Sequence, residues 1–173
     1  MDATSTRARE VLDRLLDAHE AYFDVGRGHA YAGRTFEGYA ELHSSASQYV
    51  LVKRAKLWET SSHEYLFFTL VKHLDAAIFD GLIAFMEHEA LGKVTLEPNH
   101  MNSFLSLVII ADTMDAALAR IVRKTRFRKN FQLGLKGWAD LRVCVISLAD
   151  ETVYANAMGK EMAPTLEANA FDA

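Results

Sequence analysis

The spacing of apolar residues in this chain changes from a helical period to a strand period and back several times. Residues 11–23 carry apolar side chains at intervals of three and four, which predicts an amphipathic helix capped by Thr4 or Ser5. Over residues 36–43 small or apolar residues alternate with larger polar ones, which predicts a strand. A chain with both periods must build helices and a sheet around one core.

Polar turns at 44–47 and 60–62 separate three strand-like runs, the middle one over 49–58, so we expect an antiparallel meander. The remaining predicted elements are a helix from about Leu74, a strand over 101–111, a helix over 113–124, strands over 131–138, 141–148 and 152–155, and a terminal helix from about Lys160. Together they predict a single α+β domain over residues 1–173. Its mainly antiparallel sheet of about six to seven strands is built from hairpins, with about four helices packed on it.

The composition fits one domain in a reducing compartment. The chain has 173 residues and 50% of them are hydrophobic, which is enough to bury a single core. Its one cysteine, Cys144, excludes an internal disulfide and a zinc site made of cysteine pairs. The first residues lack the basic and apolar segments of a secretion signal, and no apolar run is long enough to cross a bilayer. We therefore expect a cytoplasmic protein without membrane contact.

Several common functional motifs do not occur in the sequence. It contains no Walker-type phosphate loop, no G-x-G-x-x-G and no G-x-S-x-G. The seven histidines include no H-x-H or H-x-x-x-H pair. The cluster Glu87-His88-Glu89 is unsuited to one ion, because neighbouring side chains on a helix point about 100° apart. The sequence thus predicts neither a metal site nor a cofactor, and it assigns no catalytic residue.

A basic run is the clearest anomaly of charge. Residues 120–142 contain eight Lys and Arg and a single acid, in a chain of net charge −4. With aromatic residues interleaved, the run favours contact with an anionic partner, and its candidate contact residues are Arg123, Lys124, Arg126, Arg128 and Lys129. A purely structural role for the basic run is the alternative interpretation. Cations near a helix C-terminus interact favourably with the helix dipole, and cations on an edge strand protect it from aggregation. Nucleic acid is the less favoured anionic partner.

Two polar loops adjoin the predicted strands. One, with His100 and Asn102, leads into an apolar strand, and the other, with Lys136, Trp138 and Asp140, separates two strands. If both loops lie at the same end of the sheet, these five residues are candidates for one ligand-binding pocket. Trp138 would supply an apolar wall and His100 a group that titrates near neutrality. Capping or turn formation is the alternative role for each residue.

Short motifs follow one another in a recognisable order along the chain. They are Lys56-Leu57-Trp58, Glu64-Tyr65-Leu66-Phe67-Phe68, His100-Met101-Asn102-Ser103, Phe131 with Gly134, Gly137-Trp138-Ala139-Asp140-Leu141-Arg142, and Asn156 with Gly159-Lys160-Glu161. In this ordered set the chain resembles a family of small bacterial proteins defined as a domain of unknown function. The resemblance spans nearly the whole chain and implies a single domain. It implies no activity, cofactor or functional residue.

Two functions remain open at this point. We expect a binding domain that contacts a protein partner or an anionic ligand, without established catalysis. The alternative is an enzyme that acts on a phosphorylated or nucleic-acid substrate through the basic run 120–142, with Asp140 and His100 taking part. Exposed sheet edges also allow a homodimer.

Overall fold

The computed structural model of the chain describes residues 4–45 and 61–172. Within them, the strands are β1 Asp24–Tyr31, β2 Arg34–Ser45, β3 Ser61–Leu74, β4 His100–Met114, β5 Arg128–Asn130, β6 Trp138–Ser147 and β7 Thr152–Ala155. The α-helices are α1 Thr6–His19, α2 Ala76–His88, α3 Leu118–Lys124 and α4 Ala163–Phe171, and short 3-10 helices cover Ala90–Lys93 and Gln132–Gly134. The strand predicted over 49–58 and the motif Lys56-Leu57-Trp58 lie outside the described residues.

The seven strands form one mixed sheet in the order β1-β2-β3-β4-β6, and both β5 and β7 pair with the outer edge of β6. The first three strands are antiparallel, whereas β3 pairs with β4, and β4 with β6, in parallel. The α+β class with four helices and seven strands is confirmed, and the sheet proves to be mixed rather than purely antiparallel, since four of its pairings are antiparallel and two are parallel. Because α2 and α3 carry the chain back across the sheet, the strand after each helix starts from the same end.

Helices cover both faces of the sheet. On one face, called the α2 face, α2 and α3 bury residues such as Phe79 and Val122 against Phe67 and Leu107. On the other, called the α1 face, α1 and α4 cover a second core. That core contains, among others, Leu15, Phe68, Val108, Ile146 and Leu166. Among the described residues, no helix combines the length and apolar composition needed to cross a bilayer.

Two helices begin at side-chain caps. Ser5 Oγ accepts a hydrogen bond from the Ala8 amide at 3.1 Å, and Ser5 also bonds Asp112 at the end of β4. Asp75 caps α2 by accepting from the Ile78 amide at 2.8 Å. Each such cap stabilises a helix by about 1 kcal/mol. The caps therefore fix where α1 and α2 leave the sheet.

Two segments differ from the predicted pattern. The sequence pattern predicts no strand before residue 36, but strand β1 occupies Asp24–Tyr31, with Gly26 opposite Tyr39 of β2. The predicted strand over 131–138 is instead mostly a tight loop, in which Gln132 and Leu133 adopt positive φ angles of 47° and 56°. Prediction from local sequence fails in both segments, because a strand forms only where its backbone can hydrogen-bond to a partner strand, and local sequence does not show that partner.

Candidate functional site

A groove lined by cations lies between the end of α3 and the start of α4. It has a volume of about 330 Å³ and is lined by Arg123, Arg126, Val153, Ala155, Ala157, Lys160 and Ala163. We call it the basic groove. Its cations come from two distant stretches of chain, since Lys160 follows β7 and the two arginines flank the end of α3.

The cations of the basic groove make no ion pair in the part of the chain that the structure describes. Within residues 4–45 and 61–172, neither arginine nor Lys160 forms an ion pair with Asp or Glu. The guanidinium of Arg123 lies 5.5 Å from the centre of the Tyr154 ring, which holds it without cancelling its charge. Ala163 begins α4, so the positive end of that helix adjoins the groove. The groove is therefore suited to an anion.

A second cavity adjoins the basic groove. Its volume is about 290 Å³, and Arg126 and Ala157 line both cavities. The other lining residues are Thr125, Phe127, Arg128, Asp140, Asn156 and Met158. We call it the Phe127 pocket. Phe127 and Met158 give this pocket an apolar wall. A ligand that spans both cavities would therefore meet cations in the basic groove and apolar side chains in the Phe127 pocket.

Asn156 holds together the walls of both cavities. Its Oδ1 accepts from the amides of Val143 at 3.0 Å and Gly159 at 2.8 Å. Its Nδ2 donates to the carbonyls of Thr125 at 3.1 Å and Leu141 at 2.9 Å. The side chain is 1% exposed and uses all its hydrogen-bonding capacity on backbone groups. Asn156 is therefore a positioning residue that links β6, the end of α3 and the segment before α4.

The five residues predicted to face an anionic partner do not act as one surface. Arg123 and Arg126 line the basic groove. Lys124 and Lys129 are exposed and do not line it. Arg128 turns towards Asp140, to which it donates from Nε at 2.6 Å and from Nη2 at 2.8 Å. The sequence did not indicate Lys160, whose approach to the arginines depends on the tertiary fold.

The two predicted polar loops do lie at the same end of the sheet. Asn102 is opposite Trp138 in the parallel pairing of β4 with β6, and His100 Nδ1 lies 2.6 Å from the carbonyl oxygen of Lys136. The side chains nevertheless divide between the two faces. His100 stacks on His63, on the α2 face. Trp138 donates a hydrogen bond to Asp140. Both residues lie an even number of positions from Cys144 along β6, so their side chains share its face, the α1 face. Asn102 accepts from a serine hydroxyl on β3 at 2.7 Å.

Asp140 and His100 are both engaged in internal hydrogen bonds. The buried carboxylate of Asp140 accepts from Arg128 twice and from Trp138 Nε1 at 3.0 Å. The second ring nitrogen of His100, Nε2, lies 2.9 Å from Ser103 Oγ. These contacts favour structural roles for both residues, and their part in ligand binding stays a prediction.

A cluster that sequence spacing did not reveal lies on the α2 face. His43 and His63 are directly opposite on β2 and β3, and their Nδ1 atoms lie 2.7 Å apart. Burial, followed by the neighbouring His43, lowers the pKa of His63 below its usual value. Burial acts to raise the pKa of Glu41, but hydrogen bonds from Tyr39 and His43 outweigh it and lower that pKa. Among the described residues, no group of three or more Asp, Glu, His or Cys side chains is placed to hold a metal ion.

Comparison with known proteins identifies a family but no characterised relative. The model of a family described as a domain of unknown function, DUF8052, matches residues 7–168. No curated protein and no solved structure matches the chain. The match covers nearly all of the sequence and confirms the resemblance drawn from the ordered motifs, so the chain belongs to the DUF8052 family.

Proposed function

We propose that this domain binds a small anionic ligand, with the negative group in the basic groove. The observation that carries the proposal is the convergence of Arg123, Arg126 and Lys160 on one cavity of about 330 Å³ without a neutralising carboxylate among the described residues. Cations held close together without counter-charges repel one another, and an anion between them relieves that repulsion.

A phosphate group is the best chemical match for the groove. Arginine guanidinium groups bind phosphate oxygens in a two-pronged manner, and lysine adds a compact point charge. The start of α4 adds the positive end of its helix dipole beside the groove. A carboxylate offers fewer acceptor oxygens to the same three cations.

The Phe127 pocket supplies a place for the rest of the ligand. It shares Arg126 and Ala157 with the basic groove, so an apolar or aromatic body can lie against Phe127 and Met158 while the phosphate stays among the cations. Asp140 borders this pocket, but its charge is already paired with Arg128. We therefore favour a phosphorylated small molecule over a bare inorganic anion.

A thermal-shift experiment tests the proposal. The protein is melted with pyrophosphate and with phosphorylated aromatic compounds at physiological salt, since a ligand that prefers the folded state raises the melting temperature. We expect a shift of several degrees that is lost in Arg126→Ala and in Lys160→Ala. Lys124→Ala and Lys129→Ala serve as matched controls, because both lysines are exposed and lie outside the groove.

Two outcomes would count against the proposal. One is an equal loss of the shift in all four variants, which would indicate a diffuse positive surface. The other is a shift with DNA or RNA alone that vanishes at physiological salt, because nonspecific binding to polyanions depends steeply on salt.

A further inference from the structure

The loop between β5 and β6 presents two leucines to solvent. Leu133 is fully exposed and Leu135 is 86% exposed, so neither side chain is buried against the part of the chain that the structure describes. A single exposed leucine is ordinary on a protein surface, but two at the tip of one loop form an apolar patch, and such patches mark contact surfaces. We call residues 128–140, which comprise β5, this loop and the start of β6, the β5–β6 hairpin.

Hydrogen bonds fix the shape of this loop. The Phe131 amide donates to the Gly137 carbonyl at 3.0 Å, and the Phe131 carbonyl accepts from the Gly134 amide at 2.9 Å. The Phe131 ring packs edge-on against His100, with 6.0 Å between the ring centroids. A Cβ atom at Gly137 would overlap the Met101 carbonyl oxygen, so the loop lies directly on β4. The two leucines therefore stand on a fixed support.

Leu133 occupies a backbone conformation that is unfavourable for leucine. Its φ of 56° and ψ of 29° lie in the left-handed region, where Cβ crowds the following carbonyl oxygen. Burial of the side chain does not offset this cost, because the residue is fully exposed. Backbone strain that does nothing for the fold is characteristic of residues with a role in binding. A leucine in this place indicates that its side chain is used in a contact outside the fold.

The base of the hairpin is positively charged. Lys129 is exposed on β5, and Lys136 is partly buried at the end of the loop. Neither lysine forms an ion pair within residues 4–45 and 61–172. Residues 116–139 contain no Asp or Glu, and the carboxylate of Asp140 is already paired with Arg128. The hairpin thus combines an apolar tip with a positive base.

We propose that the β5–β6 hairpin binds the surface of a membrane that contains anionic lipids, with Leu133 and Leu135 in the interface and Lys129 and Lys136 against the headgroups. Burial of apolar side chains and attraction of cations to anionic lipids together hold peripheral proteins on a bilayer. Binding of this kind lies at the bilayer surface and needs no spanning helix. None of these four residues lines the basic groove, so the inference does not depend on the proposed function.

The residue types favour a lipid surface over a protein partner. Leucine is under-represented among the residues that dominate protein–protein affinity, and lysine is depleted from protein interfaces. Segments that lie on membranes, in contrast, use leucine on their apolar side and lysine on their polar side. The leucines also stand at the tip of the loop, and a fluid bilayer accommodates a protruding side chain without a matching pocket.

Cosedimentation of the whole protein with lipid vesicles tests the inference. The vesicles contain phosphatidylcholine alone or with about 30% phosphatidylserine, at physiological salt. We expect binding to the anionic vesicles only. Leu133→Asn should weaken this binding about tenfold or more, because it removes one buried leucine. Lys136→Gln should weaken it about fivefold.

The controls separate loss of binding from loss of folding. Leu133→Asn should fold at least as well as the wild type, because asparagine adopts the left-handed conformation more readily. Ile78→Gln is the matched control for an exposed apolar residue, and it should bind like the wild type. Ile78 is 37% exposed on α2, which follows the end of β3, whereas the hairpin precedes the start of β6. Because β3, β4 and β6 are parallel, these two sites lie at opposite ends of the sheet.

A fluorophore at the tip of the hairpin gives a second readout. Leu133→Cys can be labelled selectively, since the native Cys144 is buried. An environment-sensitive dye at this position should shift its emission to the blue when anionic vesicles are added. The same dye in Ile78→Cys should not respond.

Three outcomes would overturn the proposal. One is an absence of binding at about 1 mM anionic lipid, which would leave a protein partner for the two leucines. Another is binding that Leu133→Asn leaves unchanged. The third is binding that is lost in Arg126→Ala but not in Leu133→Asn, which would place the lipid headgroup in the basic groove instead.

Discussion

Arg128 donates two hydrogen bonds to Asp140, one to each carboxylate oxygen, at 2.6 Å and 2.8 Å. Asp140 is 3% exposed, and Trp138 donates a third hydrogen bond to it. This ion pair joins the edge strand β5 to β6 at the border of the Phe127 pocket. The sequence analysis assigned Arg128 to an anionic-partner surface and Asp140 to a ligand pocket. In the structure these two residues neutralise each other.

Arg128→Ala should lower the free energy of unfolding by about 1–2 kcal/mol, because it removes two charge-assisted hydrogen bonds from a buried carboxylate while the arginine itself is half-exposed. Urea denaturation measures the change. Lys129→Ala, the next residue of β5, is the control, and it should change stability by less than about 0.5 kcal/mol. Equal effects of the two substitutions would show that the ion pair contributes nothing.

Asn156→Asp should be among the most damaging single substitutions in the chain. The new oxygen would replace the Nδ2 group that donates to the carbonyls of Thr125 and Leu141, and it would bring a charge into a site that is 1% exposed. We expect a loss of about 3 kcal/mol or more at neutral pH. Asn169→Asp, whose amide bonds one carbonyl on the surface of α4, should cost far less in the same denaturation experiment.

Cys144 should be inert in the native protein. Burial raises the pKa of its thiol to about 12, although Arg142 acts slightly in the opposite direction. The folded pKa lies above that of the unfolded chain, so the thiol's contribution to stability is complete below about pH 9 and is lost as the pH rises towards 12. A thiol reagent at about pH 8 should label the protein only in denaturant. Rapid labelling of the native protein would contradict the buried position.

Leu133→Asn should stabilise the protein. Leu133 has φ 56° and ψ 29°, a left-handed conformation that costs a side-chain-bearing residue about 1 kcal/mol and that asparagine adopts more readily. Leu135→Asn is the matched control, because Leu135 is also exposed but has an ordinary φ of −66°. The midpoint of thermal unfolding should rise for the first variant alone. A rise in both would point to lost surface hydrophobicity as the cause.

The sequence predicted what depends on local spacing. Periodicity located α1, α2 and β6 closely, and the count of charges singled out Arg123 and Arg126, which the structure places in the lining of the basic groove. The sequence could not show contacts that depend on strand register or on the approach of residues that are distant along the chain. Lys160 reaches the basic groove only because β7 pairs with β6, and nothing in the spacing of His43 and His63 indicates that the β2–β3 register places them opposite each other.

The account depends most on the basic groove, and amide NMR during a pyrophosphate titration at physiological salt tests it most directly. We expect saturable shifts concentrated at Arg123, Arg126, Ala157 and Lys160, with the Lys124→Ala and Lys129→Ala variants behaving like the wild type. Shifts that do not saturate, or that concentrate at β5 and away from residues 157–163, would contradict the account.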